Sequence, residues 1–273
     1  MVHACQAMVF SDLALEVEPL PPVARVSGTL TKLSELAEDI VEVTIEPSQR
    51  LHMLPGQYCR FRFRGYPARS FSPTSSLGAL QSDGRIRLHV KRVRGGRVTP
   101  SLGSTIREGH QVHIEGPFGH AFLRPGLSNR LVLIGSGTGF APVWAVGAAA
   151  LRENPERQIT VIAASRRAAA FYMTPALALI SRYPNVEAIA TIEGSGQVRP
   201  LFSHGFSSGS VIDNIPPLAA DDIVYSAGSP RLVDAVGEAA ESAGALFYAD
   251  PFEVAVPQQP GWIDSAKAWL RAG

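Results

Sequence analysis

The sequence predicts two domains in series, a small antiparallel β-barrel followed by a doubly wound parallel α/β domain. Two patterns carry this expectation. Between Val23 and Glu115, short stretches alternate apolar and polar residues and are parted by Gly and Pro turns, the pattern of half-buried antiparallel strands. From Leu131 onward, short all-apolar runs alternate with Ala-rich helical stretches, as parallel strands buried on both faces require. A length of 273 residues with 45% apolar side chains is enough for two cores.

In chain order, Pro19, Pro21 and Pro22 disfavour helix and central strand and close off residues 1–22 as a separate leading segment. Residues 23–126 form the expected barrel. Val41, Val43 and Ile45 alternate with polar neighbours, Phe61 and Phe63 oppose Tyr58, Arg60 and Arg62, and Ile86, Leu88 and Val90 oppose Arg85, Arg87, His89 and Lys91. A boundary is expected at Arg124-Pro125-Gly126. Residues 127–253 form the α/β domain, with strands at Leu131–Ile134, Ile159–Ala163, Val186–Thr191 and Ile223–Tyr225. In the tail, residues 254–273, Trp262, Ile263, Ala266, Trp269 and Leu270 recur at helical spacing, so a short amphipathic helix is expected.

Composition excludes several classes. The net charge of +1 gives no general affinity for nucleic acid or membrane. Two cysteines, Cys5 and Cys59, allow neither a disulfide framework nor a four-thiolate zinc or iron–sulfur site on this chain alone. The N-terminus lacks the basic region and apolar run of a secretory signal, and Gly135, Gly137, Gly139 and Pro142 break up the apolar window Leu131–Leu151. The expectation is a cytoplasmic protein. Charge is divided between the halves: fifteen basic and eleven acidic residues through Leu127 give +4, and ten and thirteen beyond it give −3. The acid-free stretch Arg85–Arg97 is either a solvated strand face or an attractor of phosphates or an acidic partner.

Four local signals bear on chemistry. Gly135-Ser136-Gly137-Thr138-Gly139-Phe140-Ala141-Pro142 follows a buried strand and precedes an apolar helix, where glycines permit a tight turn and helix N–H groups favour phosphate oxygens. It departs from the usual dinucleotide fingerprint in Phe140, and the next strand ends in Ser165, Arg166 and Arg167 rather than an acid. Arg69-Ser70-Phe71-Ser72-Pro73 offers a guanidinium for a pyrophosphate, a ring to lie on an aromatic ligand and a hydroxyl for a ring nitrogen, or else is a Ser/Pro turn. Gly95-Gly96-Arg97-Val98-Thr99-Pro100 offers amides and a hydroxyl, or else a plain hairpin turn. Gly116-Pro117-Phe118-Gly119 ends the barrel.

In this order the pieces resemble the ferredoxin–NADP reductase superfamily, from about Val23 to Phe252. The resemblance implies a six-stranded antiparallel FAD barrel followed by a nicotinamide-nucleotide domain. Arg69, Phe71 and Ser72 fall on the Arg-x-Tyr-Ser motif, in which Arg holds the FAD pyrophosphate, the aromatic packs on the isoalloxazine and Ser approaches flavin N5; Ser70 lies within it. Leu88-His89-Val90-Lys91 and Gly96, Val98 and Thr99 match the strand and turn that hold the pyrophosphate. Gly135, Gly137, Thr138, Gly139 and Pro142 match the pyridine-nucleotide loop. Tyr225-Ser226-Ala227-Gly228-Ser229-Pro230 is similar to the late Cys-Gly-x-Pro motif, placing Gly228 and Pro230 near the nicotinamide. Phe247–Phe252 is similar to the closing strand, whose Asp250 and Phe252 would approach the flavin. Phe71 stands for the usual Tyr and Ala227 for the usual Cys, which puts a hydroxyl contact and the efficiency of hydride transfer in question.

The implied catalytic residues are Ser72, Asp250 and Phe252, with no metal. The implied cofactors are FAD and NADH or NADPH, with Ser165 and Arg166 at the nucleotide's ribose. Hydride would pass from the nicotinamide to FAD and single electrons onward to a 2Fe–2S ferredoxin or oxygenase component. The segment Ala4–Val17 resembles the end of a plant-type ferredoxin domain, with Cys5 on its last cluster ligand; the other three ligands have no counterpart. The alternative is a flavin- and nucleotide-binding electron-transfer subunit or redox sensor without turnover. A serine hydrolase at Gly205-Phe206-Ser207-Ser208-Gly209 is disfavoured because all seven histidines precede Ser207. Zinc is disfavoured because His110 and His113 on a strand point to opposite faces.

Overall fold

The computed structural model describes residues 20–75, 77, 83–193, 206–208 and 210–252, together with residues 8 and 12. The expected ferredoxin-like segment and the amphipathic tail lie outside the described residues.

The first half is a curled antiparallel sheet. It comprises β1 (Ala24–Ala37), β2 (Ile40–Pro47), β3 (Tyr58–Phe63), β4 (Arg69–Phe71), β5 (Pro73–Thr74), β6 (Ile86–Lys91) and β7 (Gln111–Phe118), in the spatial order β4-β3-β7-β1-β2-β6-β5. Seven strands stand where six were expected. The difference arises at Ser72, which interrupts one ribbon and leaves β4 and β5 on opposite edges of the sheet. Because these edges are joined through a single residue, the sheet curls into a near-barrel. The alternation read from β3 holds, with Cys59, Phe61 and Phe63 buried and Arg60 and Arg62 exposed. The inward face packs with Leu30, Val43, Leu88 and Ile114 into one core.

The second half is a six-stranded parallel sheet in the order β11-β10-β9-β8-β12-β13. The strands are β8 (Leu131–Ser136), β9 (Ile159–Ser165), β10 (Val186–Ile192), β11 (Phe206–Ser208), β12 (Ile223–Gly228) and β13 (Leu246–Pro251). Helices α1 (Phe140–Glu153), α2 (Thr174–Ile180) and α3 (Pro230–Ala243) cover it. Two cores lie on opposite faces of this sheet, one built on Leu133, Trp144 and Val161, the other on Val132, Ile134 and Val236. That is why β8 and β9 are apolar throughout. Helix α1 is buried along nearly its whole length. Helix α3 buries only Val233, Val236 and Ala240 and ends at Gly244, whose φ of 73° supplies the left-handed cap.

The halves are held together by specific contacts. Arg124 lies between the rings of Phe122 and Tyr248, its guanidinium carbon 3.7 and 4.0 Å from the two centroids, and donates to the carbonyls of His120 and Phe122. The Tyr225 hydroxyl donates to the same Phe122 carbonyl at 2.8 Å. The Trp144 indole N–H of α1 donates to the Ser75 carbonyl at 2.8 Å. No helix among the described residues is long and apolar enough to cross a membrane.

Candidate functional site

The C-terminal ends of the parallel strands meet the β4–β5 seam of the barrel, and most of the expected site residues gather there. In β13, Asp250 is in register with Ala227 of β12. Its carboxylate oxygen Oδ2 accepts a hydrogen bond from Ser72 Oγ at 2.6 Å. Ser72 is buried, and burial pushes the Asp250 carboxyl above its ordinary pKa while the Ser72 hydrogen bond partly opposes the shift. Phe252 lies two residues further on; its N–H donates to the Gly228 carbonyl at 2.6 Å and its side chain is half-buried. The three residues expected to act on hydride are thus within one cluster.

Arg69 opens β4 half-buried, its guanidinium donating to the adjacent Ala68 carbonyl. Ser70 faces outward opposite Arg60. Phe71 packs toward the barrel core, its ring 6.0 Å from that of Phe61. In the 93–99 turn the Gly96 N–H is spent on the Val93 carbonyl, and Thr99 Oγ1 accepts from the Val93 N–H. The Val98 side chain is buried in the barrel. Among the donors this turn retains are the amides of Val98 and Thr99, which make no hydrogen bond among the described residues. Lys91 is drawn toward Asp39 at 3.3 Å, and Val90 is core.

The Gly-rich turn owes its shape to contact as well as conformation. A Cβ at Gly135 would stand 2.6 Å from Phe140 Cα, and one at Gly139 2.2 Å from the Ala227 carbonyl oxygen. Gly137 has φ of +56°, and a Cβ there would meet nothing within 4 Å. The loop is therefore pressed onto β12 on one side and open on the other, where backbone can approach a ligand. Thr138 is half-buried in the same turn, and Pro142, buried in the first turn of α1, borders a small cleft with Ala227 and Asp250. Pro230 starts α3 immediately after the Gly228 bend.

Sequence reasoning missed Tyr172. Its hydroxyl lies 3.1 Å from His89 Nδ1 and donates to the Gly137 carbonyl at 3.3 Å, so it ties the barrel to the Gly-rich turn. His89 Nε2 in turn lies 3.6 Å from Glu42, which the imidazole holds below the usual carboxylate range. His89 is therefore engaged by protein groups on both nitrogens. No local motif marks Tyr172. At the end of β9 the buried Ser165 hydroxyl donates to the Arg167 carbonyl at 2.9 Å, folding back on its own loop, while Arg166 is exposed. A cavity of about 420 Å³ lies on the outer barrel face between Arg25, Arg60, Arg62 and His113, and none of the expected site residues lines it.

The buried hydroxyls of Thr74, Ser75 and Ser226 have no hydrogen-bond partner among the described residues. Thr74 and Ser75 lie at the end of β5, and Ser226 lies in β12. A buried unsatisfied hydroxyl costs about 1–3 kcal/mol, so polar atoms of a ligand fit here. With the Arg69 guanidinium and the open amides of Val98 and Thr99, this donor set suits a dinucleotide carrying a polar aromatic ring and a pyrophosphate.

Comparison with known proteins agrees with that chemistry. Residues 27–122 match the oxidoreductase FAD-binding domain family and residues 133–238 the oxidoreductase NAD-binding domain family. The chain is 30% identical over 262 residues to the terephthalate 1,2-dioxygenase reductase component 2 of Comamonas sp, covering 92% of this chain and 76% of that protein. This chain belongs to the FAD- and NAD(P)-binding ferredoxin reductase family. Another member, the ferredoxin–NAD(P)+ reductase component of the naphthalene 1,2-dioxygenase/salicylate 5-hydroxylase systems of Ralstonia sp, is 29% identical over 241 residues, covering 86% of this chain and 72% of that one. Among solved structures, the ferredoxin reductase of carbazole 1,9a-dioxygenase shares the fold at a TM-score of 0.75 and 24% identity, over 92% of this chain and 78% of the other. The two-domain order of this ferredoxin reductase, barrel first and parallel sheet second, is that of the family.

Proposed function

We propose that this reductase oxidises NADH or NADPH through bound FAD and delivers the electrons to a 2Fe–2S ferredoxin or an oxygenase component. FAD, when bound, supplies the conversion from a two-electron hydride to single electrons. The reading is supported by relatives named as reductase components of dioxygenase systems. The observation that carries the site assignment is the 2.6 Å bond from Ser72 to Asp250, which brings the barrel seam and the closing strand of the nucleotide domain to one point.

In this reading Arg69 and the amides of Val98 and Thr99 bind the FAD pyrophosphate, and Lys91 adds positive charge nearby. Ser70 and Phe71 shape the strand beneath the ring system. Ser72 Oγ offers a hydroxyl whose direction Asp250 fixes, and the carboxylate can hold a proton passed from that oxygen. The Gly135–Gly139 turn, including Thr138, takes the nicotinamide nucleotide's pyrophosphate through its open face. Gly228, Pro230 and Phe252 wall the nicotinamide pocket and exclude water. His89 acts indirectly, holding Tyr172 against the Gly137 carbonyl. We also assign residues 23–126 and 127–253 as the FAD and nucleotide units, and the cytoplasm, where reduced nicotinamide is generated, as the place of action.

Anaerobic titration tests this. Flavin-loaded protein is expected to bleach on addition of one equivalent of a reduced nicotinamide nucleotide and then to reduce a one-electron acceptor catalytically. A protein that takes up no FAD sinks the proposal. A yellow protein bleached by neither nucleotide would favour the sensor or passive electron-transfer alternative.

A further inference from the structure

The end of β9 is where a doubly wound domain reads the 2′ position of a nucleotide's ribose, an acid there suiting the free hydroxyl and an arginine the 2′-phosphate. Here the local residues are Ser165, Arg166 and Arg167, a set that by itself suits NADPH. The fold disarms two of the three. Ser165 spends its hydroxyl on the Arg167 carbonyl. The Arg167 guanidinium reaches across to the barrel and pairs with Glu38 Oε2 at 3.3 Å and Asp39 Oδ2 at 3.5 Å.

Glu38 and Asp39 are the two residues of the turn between β1 and β2, where Ala37 pairs with Ile40. The turn is held in place. The Arg92 N–H donates to the Asp39 carbonyl at 2.7 Å, and the Arg92 guanidinium grips Glu35 with two hydrogen bonds of 2.6 and 2.5 Å. Lys91 Nζ is the other cation on Asp39, at 3.3 Å. Asp39 Oδ1 is buried with no hydrogen-bond partner among the described residues. Glu193, whose N–H donates to the Ser165 carbonyl, adds a further acid at the same sheet end.

We propose that the Glu38–Asp39 turn makes this reductase prefer NADH, by supplying from the barrel the acids that β9 lacks. A 2′-phosphate approaching Arg166 and Arg167 must compete with two carboxylates already on Arg167 and is repelled by them; a 2′-hydroxyl meets no such opposition. The inference rests on the nucleotide lying across the end of β9, as in the reading above.

The test compares kcat/KM for NADH and NADPH in flavin-loaded wild type, in Glu38→Gln/Asp39→Asn and in Arg167→Gln. The wild type is expected to favour NADH. The double variant should shift the NADPH-to-NADH ratio upward by about tenfold. Arg167→Gln, which leaves the carboxylates unneutralised, should shift it downward. A mere interdomain latch would alter stability and both nucleotides alike without moving the ratio. A wild type that favours NADPH, or a ratio unmoved in the double variant, overturns the inference while leaving the reductase reading intact. Failure of both nucleotides to bleach the wild-type flavin overturns the reading and the inference together.

Discussion

Ser72 and Asp250 are 178 residues apart in sequence, yet Ser72 Oγ donates to Asp250 Oδ2 at 2.6 Å. One lies at the break between two barrel strands, the other in the last strand of the parallel sheet. Neither side chain is positioned by its own domain alone. Replacing Ser72 by Ala should lower the rate of flavin bleaching by NADH about a hundredfold, by analogy with loss of one preorganised donor, with little change in KM. Stopped-flow absorbance checks this; an unchanged rate would remove Ser72 from the reaction.

The same pair predicts a pH limb. Burial raises the Asp250 pKa, so this carboxyl takes up its proton at a higher pH than an ordinary Asp, whose pKa is about 3.9. Once protonated it is a weaker acceptor for the Ser72 hydroxyl. The rate should therefore fall as pH is lowered through a range lying above that ordinary value. In Asp250→Asn the acidic limb should vanish, and its persistence would assign the limb to another group.

Arg69→Gln should weaken FAD binding about tenfold to a hundredfold, the worth of a hydrogen bond to a charged group. Quenching of FAD fluorescence on titration into apoprotein measures it. Wild-type affinity in the variant would move the pyrophosphate elsewhere.

Two glycines of one loop should behave differently. At Gly139 a Cβ meets the Ala227 carbonyl oxygen at 2.2 Å, backbone against backbone. Gly139→Ala should cost about 1–3 kcal/mol or more through overpacking. Gly137→Ala enters open space and bears only the left-handed penalty of about 1–2 kcal/mol. Thermal melts should rank Gly139→Ala as the less stable, and nucleotide affinity should fall with it.

Cys59 is fully buried and its thiol is pushed up to about 12. Because the thiolate is the reactive form, Cys59 should resist thiol reagents in the native state. In a Cys5→Ser background, native protein should show no fast-reacting thiol and denatured protein one. Rapid native labelling would contradict the packing of this barrel.

What was legible in the sequence was what is local. The alternation in Tyr58–Phe63, the apolar run Leu131–Ile134 and the glycine spacing after it each encode their own geometry within one element, and the structure keeps them. Strand β1 was harder to see because its pairing slips between Leu30 and Lys32 and again between Glu35 and Ala37, which breaks the two-residue period. The division of one ribbon into β4, paired with β3, and β5, paired with β6, depends on long-range strand pairing. Tyr172 with His89, and Arg167 with Glu38, are likewise products of domain packing. Motif spacing thus located the loops but not which of their donors the protein consumes itself, as Gly96 and Ser165 show.

The stacking of Arg124 between Phe122 and Tyr248, with Tyr225 bonded to the same stretch of backbone, has a kinetic corollary. The joint connecting the halves is soldered to the sheet it leads into, so a wide hinge swing during turnover would require breaking aromatic and hydrogen-bonded contacts at once. The placement of the Ser72 seam against the Asp250 strand is then fixed when the chain folds.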